Sequence, residues 1–209
     1  MKYILFIALY LTACVPATQI TSAPEVINVY ATSAAQPWMT KLYDCAAKRS
    51  VTLRLMDSSA DAAIYIRIGE PDVLMTPAYQ IDTEELLIVT HRESPVQNLT
   101  LEEAQTLFAG QGDSSMRVWV YSSDEDIQKV FEQAVMAGRS VSSFASLAVS
   151  PQQMSDVLNA ESNAVGILPR HWKVGTVRDV YSAGTVPVLA IVKEDPQGVI
   201  TGLIACLQK

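Results

Sequence analysis

The chain has 209 residues, 49% of them hydrophobic and 18% charged, a composition that buries a core and excludes a disordered polar chain. Its 9 glycines and 10 prolines exclude collagen-like and low-complexity sequence. The formal charge of −7 argues against a nucleic-acid partner, because phosphate backbones are held by an excess of Lys and Arg.

Met1-Lys2 opens the chain, and an apolar run from Tyr3 to Leu11 leads into Thr12-Ala13-Cys14. The run is far shorter than the roughly 20 residues of a membrane span and matches a secretory h-region of roughly 7–15 residues. Leu11-Thr12-Ala13-Cys14 resembles a bacterial lipobox, in which an aliphatic and two small residues precede the cysteine that is lipidated. The expectation is a signal peptide over 1–13, lipid on Cys14, and a tether over 14–25 containing Pro16 and Pro24. Removing the signal peptide takes away Lys2, so the body becomes more acidic still. The mature protein is then extracytoplasmic and anchored to the bacterial membrane as a lipoprotein.

Three cysteines are an odd number, and setting Cys14 aside leaves Cys45 and Cys206 as an even pair in a compartment that permits disulfides. A bridge would tie the first helix to the last and close a loop of about 160 residues. Two buried free thiols are the alternative.

Apolar runs of strand type alternate with helical patterns along the body. Val26–Ala31 reads as a strand, Gln36–Lys48 as a helix with apolar Trp38, Met39, Leu42, Tyr43 and Ala46 at helical spacing, and Val51–Met56 and Ala62–Ile68 as strands. Glu85–Thr90 reads as a short apolar strand. Thr100 and Glu103 form a capping box for a helix ending at Phe108. Arg117–Tyr121 is a strand, and Ser122-Ser123 is expected to cap a helix over Asp124–Ala137 that Gly138 ends. Ser150 caps Pro151–Asn159, then Ala164–Leu168, Val177–Tyr181 and Val186–Val192 read as strands, and Gly198–Leu207 as the last helix. This alternation predicts an α/β fold with largely parallel sheets, in one domain or two small ones.

Glu85–Gly110, ELLIVTHRESPVQNLTLEEAQTLFAG, resembles the crossover segment of phosphate-type periplasmic solute-binding proteins. In that family an apolar hinge strand is followed by an Asn-Pro-like turn, then Leu-Thr and two acidic residues, then a helix ending in Phe-x-Gly. Val29–Ser33 followed by Pro37 resembles the family's first strand and its ligand-facing Ser/Thr loop. Asn163–Leu168 resembles a late strand of the family, small-aliphatic-Gly-aliphatic. The likeness spans roughly residues 26–207. It implies a type II periplasmic-binding-protein-like fold, with two small α/β lobes joined by two crossing strands and ligand in the cleft. Lobe 1 would be 26–84 plus 186–209 and lobe 2 would be 85–185, which places both Cys45 and Cys206 in lobe 1.

Ligands of open α/β sheets sit beyond the carboxyl ends of strands. Thr32 and Ser33 follow the first strand and offer hydroxyls, although either could serve only as a helix cap. Ser122 and Ser123 follow the lobe-2 strand. There the family carries a Ser-Gly-Thr-like, often Arg-preceded, oxyanion loop. Here Arg and Gly are absent, and Asp124, Glu125 and Asp126 crowd the helix start, where an anion would bind. A cationic or neutral polar ligand, or no small ligand, is therefore an alternative to phosphate. Arg67 at a strand end and Thr90 at the proposed hinge complete the ligand-binding set. Nucleophile-elbow, zinc-protease, Walker and dinucleotide-loop motifs are absent, and the cysteines and histidines lack metal-site spacing. The expected protein is therefore no enzyme, needs no cofactor or metal, and is a monomer. It would be the substrate-binding component of an ABC-type importer, taking a small polar solute or oxyanion and presenting it to a permease. The alternative is a non-transport lipoprotein that uses the two-lobe fold as a sensory or protein-binding module.

Overall fold

A computed structural model of the chain describes residues 25–209. The expected signal peptide, Cys14 and nearly all of the expected tether lie outside the described residues. Among the described residues no helix is long and apolar enough to cross a membrane.

Alternating apolar residues make the first strands, β1 (Val26–Ala31), β2 (Thr52–Leu55) and β3 (Ile64–Ile68). β1 pairs in parallel with both of the others. Val29, Ile64 and Ile66 are fully buried beneath helix α1 (Pro37–Ala47), which has proline in its first turn, and α5 (Gly198–Leu207). Cys45 and Cys206 are disulfide-bonded across these two helices, with Cα atoms 5.9 Å apart. The bridged alternative is therefore the one realised.

The second half repeats the scheme. Strands β5 (Arg117–Tyr121), β6 (Ser146–Ala148) and β7 (Ala164–Pro169) are parallel. Helices α2 (Leu101–Phe108), α3 (Asp126–Phe131) and α4 (Pro151–Ala160) pack against them. The Thr100–Glu103 capping box is present, with Thr100 N–H donating to Glu103 Oε2 at 2.7 Å and Glu103 N–H to Thr100 Oγ1 at 3.2 Å. α3 is shorter than expected at its start, and continues as a π turn over Glu132–Met136. Phe108 and Phe131 pack with ring centroids 4.7 Å apart in this half's core.

Two long strands join the halves. β4 (Ala78–His91) has 14 residues and β8 (Val177–Val192) has 16. They pair antiparallel along their length, giving one eight-stranded sheet of order β2-β1-β3-β8-β4-β7-β5-β6. The expectation of largely parallel sheets is corrected: each half is parallel, but the centre is antiparallel. Glu85–Thr90 is only the apolar end of β4, because Gln80–Glu85, polar except for buried Ile81, still pairs with β8. Val177–Tyr181 and Val186–Val192 are one strand, continuous through Gly184, which adopts a φ of +91° that glycine accommodates.

The register sets where the two halves meet. Ile68, the last residue of β3, pairs with Val188, and Pro169, the last of β7, pairs with Leu86. The carboxyl ends of both halves therefore converge on the middle of the β4/β8 ribbon.

Candidate functional site

Four segments meet at this convergence. Thr32 follows β1; its N–H donates to Ile66 O at 3.0 Å and its carbonyl accepts from Ala35 N–H at 3.1 Å, which turns the chain toward α1. Ile68 ends β3, and Gly69 N–H donates to Pro187 O at 2.8 Å. In the other half, a turn closed by Glu125 N–H donating to Ser122 O at 3.0 Å delivers the chain from β5 to α3. His171 and Trp172 follow β7 in a short 3₁₀ turn, Arg170–Trp172.

Carboxylates of the second half reach hydroxyls of the first. Thr32 Oγ1 donates to Asp126 Oδ2 at 2.7 Å, and Ile68 N–H donates to the same oxygen at 2.8 Å. Asp126 Oδ1 accepts from Ile127 N–H at 2.8 Å. Ser33 Oγ donates to Glu125 Oε2 at 2.8 Å. Asp126 is only 3% exposed, and a buried carboxylate is tolerated when hydrogen bonds replace its water. Among the described residues no cation lies within ion-pair distance of either carboxylate.

Arg67 lies beside this cluster. It is 7% exposed, and its Nε has no hydrogen-bond partner. Tyr65, two residues earlier on the same face of β3, packs against Tyr30 with ring centroids 5.4 Å apart. Burial, above all, pushes the Tyr65 hydroxyl up to about 12; Arg67 opposes that rise, while Asp126 and Glu125 add to it. Burial and then Glu125, Asp126 and Asp124 raise Tyr30 in the same direction. Arg67 and the two carboxylates thus share one electrostatic neighbourhood.

A second clasp lies at the ribbon. Trp172 Nε1 donates to Ala34 O at 2.9 Å, and His171 packs on Trp38 with centroids 4.7 Å apart. His171 Nδ1 sits 2.7 Å from Oε2 of buried Glu84, while Trp38 Nε1 donates to Asp82 Oδ2 at 3.0 Å. Glu85 takes Arg170 Nε at 2.6 Å and Ser182 Oγ at 2.7 Å.

Of the residues expected in the site, Thr32 and Ser33 stand in it and Arg67 borders it. Thr90 does not join them: it is fully buried, and its Oγ1 donates to Val96 O at 3.3 Å. Ser122 and Ser123 are exposed and make no bond to the first half. The reason is local. α3 begins at Asp126 with Glu125 before it, so both serines stay in the preceding turn and cap nothing. Ser122 instead lies beside Asp124, whose carboxyl it helps hold below the usual range. Glu125 and Asp126 take the place expected of the serines, and the run of three acids was the signal for it. The His171-Trp172 clasp had no sequence signal beyond its position after a strand.

No family model and no curated protein matches the chain. Solved structures do. A candidate phosphate ABC transporter substrate-binding protein from Clostridium perfringens, with bound phosphate, aligns at TM-score 0.76 and 15% identity, over 88% of this chain and 93% of its own. An ABC-type phosphate transport receptor from Vibrio cholerae aligns at TM-score 0.68 and 17% identity, with the same coverages. The reduced regulatory domain of OxyR2 from Vibrio vulnificus aligns at TM-score 0.67 and 9% identity, over 92% and 98%. The chain therefore has the type II periplasmic-binding-protein-like fold, found here in both transport receptors and regulatory domains.

Proposed function

We propose that the chain is a lipid-anchored extracytoplasmic binding protein whose two lobes, 26–84 plus 186–209 and 85–185, close on a small polar solute for an ABC-type permease. The carrying observation is the meeting of the β1–α1 hydroxyls with the start of α3 at the carboxyl ends of both half-sheets. That is where open α/β sheets bind ligands, and closure about the β4/β8 ribbon would be a hinge motion. Thr32 and Ser33 would donate to the solute, with Arg67 at the margin; Thr90, Ser122 and Ser123 have no place in this reading. Lipid on Cys14 would hold the protein at the membrane, and the site carries out no covalent chemistry.

A second reading has its own observation. The chain's own carboxylates already engage the hydroxyls, which favours a non-transport lipoprotein acting as a sensory or protein-binding module. Thermal shift of the mature protein, in detergent, against phosphate, sulfate, molybdate, amino acids and polyamines separates the two. A solute at a hundredfold excess over Kd stabilises by about 2.7 kcal/mol, which raises Tm by roughly 2–4 °C per kcal/mol. A shift with one solute class supports transport; no shift with any overturns it and leaves the module. Loss of fatty-acid labelling in Cys14→Ser tests the anchor.

A further inference from the structure

Asp126 is bound as a guest would be. A hydroxyl and a backbone N–H converge on one carboxylate oxygen at 2.7 and 2.8 Å, and both donors come from the opposite half of the molecule. Neutral donors of this kind are what proteins use to hold oxyanions in dry sites. The second observation is independent. Arg67, 7% exposed, has an Nε with no partner, and no carboxylate lies within ion-pair distance of it among the described residues. A buried cation without a counter-ion is unfavourable, and an anion brought beside it relieves that. Tyr65, on the same face of β3 as Arg67, lies within Coulombic reach of Arg67, Asp126 and Glu125 alike.

We propose that Asp126 is an intramolecular surrogate for an oxyanion: its carboxylate holds the lobes shut and keeps phosphate-class anions off a latent site formed by Thr32 Oγ1 and Ile68 N–H, with the Arg67 charge beside it. This rests on reading the interlobe cleft as the binding site. It adds that the wild-type cleft rejects tetrahedral oxyanions because the chain supplies its own. The energetic logic is competition. A site whose donors are free in only about one molecule in a hundred binds about 100-fold more weakly than the same site with its donors released.

The test is titration of the mature protein and its variants with inorganic phosphate and with sulfate, followed by calorimetry and thermal shift. Wild type is expected to show no binding at millimolar anion. Asp126→Ser is expected to bind at least one of the two anions about 100-fold more tightly, and Asp126→Ser/Arg67→Gln to lose that gain. A folded Asp126→Ser that binds neither anion overturns the proposal, and so does a wild type that binds as tightly as the variant. The latter result would still support solute binding. Absence of any solute shift in wild type, with the gain in Asp126→Ser intact, would sink the transport reading but not this one. If Asp126→Ser does not fold, the near-isosteric Asp126→Asn decides: a smaller gain of the same sign supports the surrogate, and no gain overturns it.

Discussion

His171 Nδ1 lies 2.7 Å from Oε2 of Glu84, a carboxylate that is 1% exposed. The pair joins the turn after β7 to the middle of β4, and the imidazole packs at a tilt against Trp38 of α1. The other Glu84 oxygen has the Glu85 N–H at 2.9 Å. His171→Ala would leave a buried carboxylate with one partner fewer. We expect a loss of about 1–3 kcal/mol, read as a fall in Tm of roughly 2–4 °C per kcal/mol. His171→Gln, which keeps a donor, should lose less. Equal losses in the two variants would show that ring packing on Trp38, not the hydrogen bond, matters.

The Cys45–Cys206 bridge closes a separation of 161 residues between α1 and α5. In the chain-entropy model, a loop of this length restricts the unfolded state by about 4–5 kcal/mol. Cys45→Ala/Cys206→Ala should therefore unfold at markedly lower urea concentration. Reductant should lower the wild-type midpoint toward the variant's and leave the variant unchanged.

Gly69 ends β3 at φ +72°, and a Cβ there would run into Val130 Cγ2 of α3. Gly69→Ala forces a left-handed alanine and pushes α3 away from the first half. A cost of about 1–3 kcal/mol is expected from strain and overpacking together. Val130→Ala in the same chain should recover the packing part and leave the backbone part. A double-mutant cycle with no coupling would refute the contact.

Hydrogen bonds from Arg170 first, and then from Ser182, hold the Glu85 carboxyl below its ordinary range. A lowered folded-state pKa gives stability that is present above the unfolded value, roughly 4.3, and lost as pH falls through the lower folded value. Arg170→Gln should therefore be less stable than wild type at pH 7, with the gap closing toward pH 3. The Arg170 side chain is half exposed, so the gap should stay below about 1 kcal/mol. A gap that persists at pH 3 would assign Arg170's effect to packing or to Asp179.

Much of the fold was legible because it is locally encoded. The Thr100–Glu103 box, Pro37 and Pro151 in first helical turns, and the two-residue alternation of β1 and β3 each act within a few residues. The two central strands were legible only in their apolar ends. Gln80, Asp82, Thr83 and Glu84 look like a loop in sequence, and they are strand because β8 supplies their backbone partners. The oxidised pair was read from a count and a compartment, but only the packing of α1 on α5 brings the two Cα atoms to 5.9 Å.

The candidate site divides in the same way. By itself the sequence determined which hydroxyls follow β1, that three acids lie at the approach to α3, and that Arg67 stands near the end of β3, since these depend on order along the chain. Tertiary structure decided what they face. Two half-sheets of opposite direction meet end to end on the β4/β8 ribbon, so residues 94 positions apart in sequence, Thr32 and Asp126, become hydrogen-bond partners. The same convergence leaves Arg67 Nε buried without a partner among the described residues and keeps Ser122 and Ser123 out in solvent. A charge pattern read along one chain shows which ions are present; only the fold determines whether a carboxylate repels a ligand or takes its place.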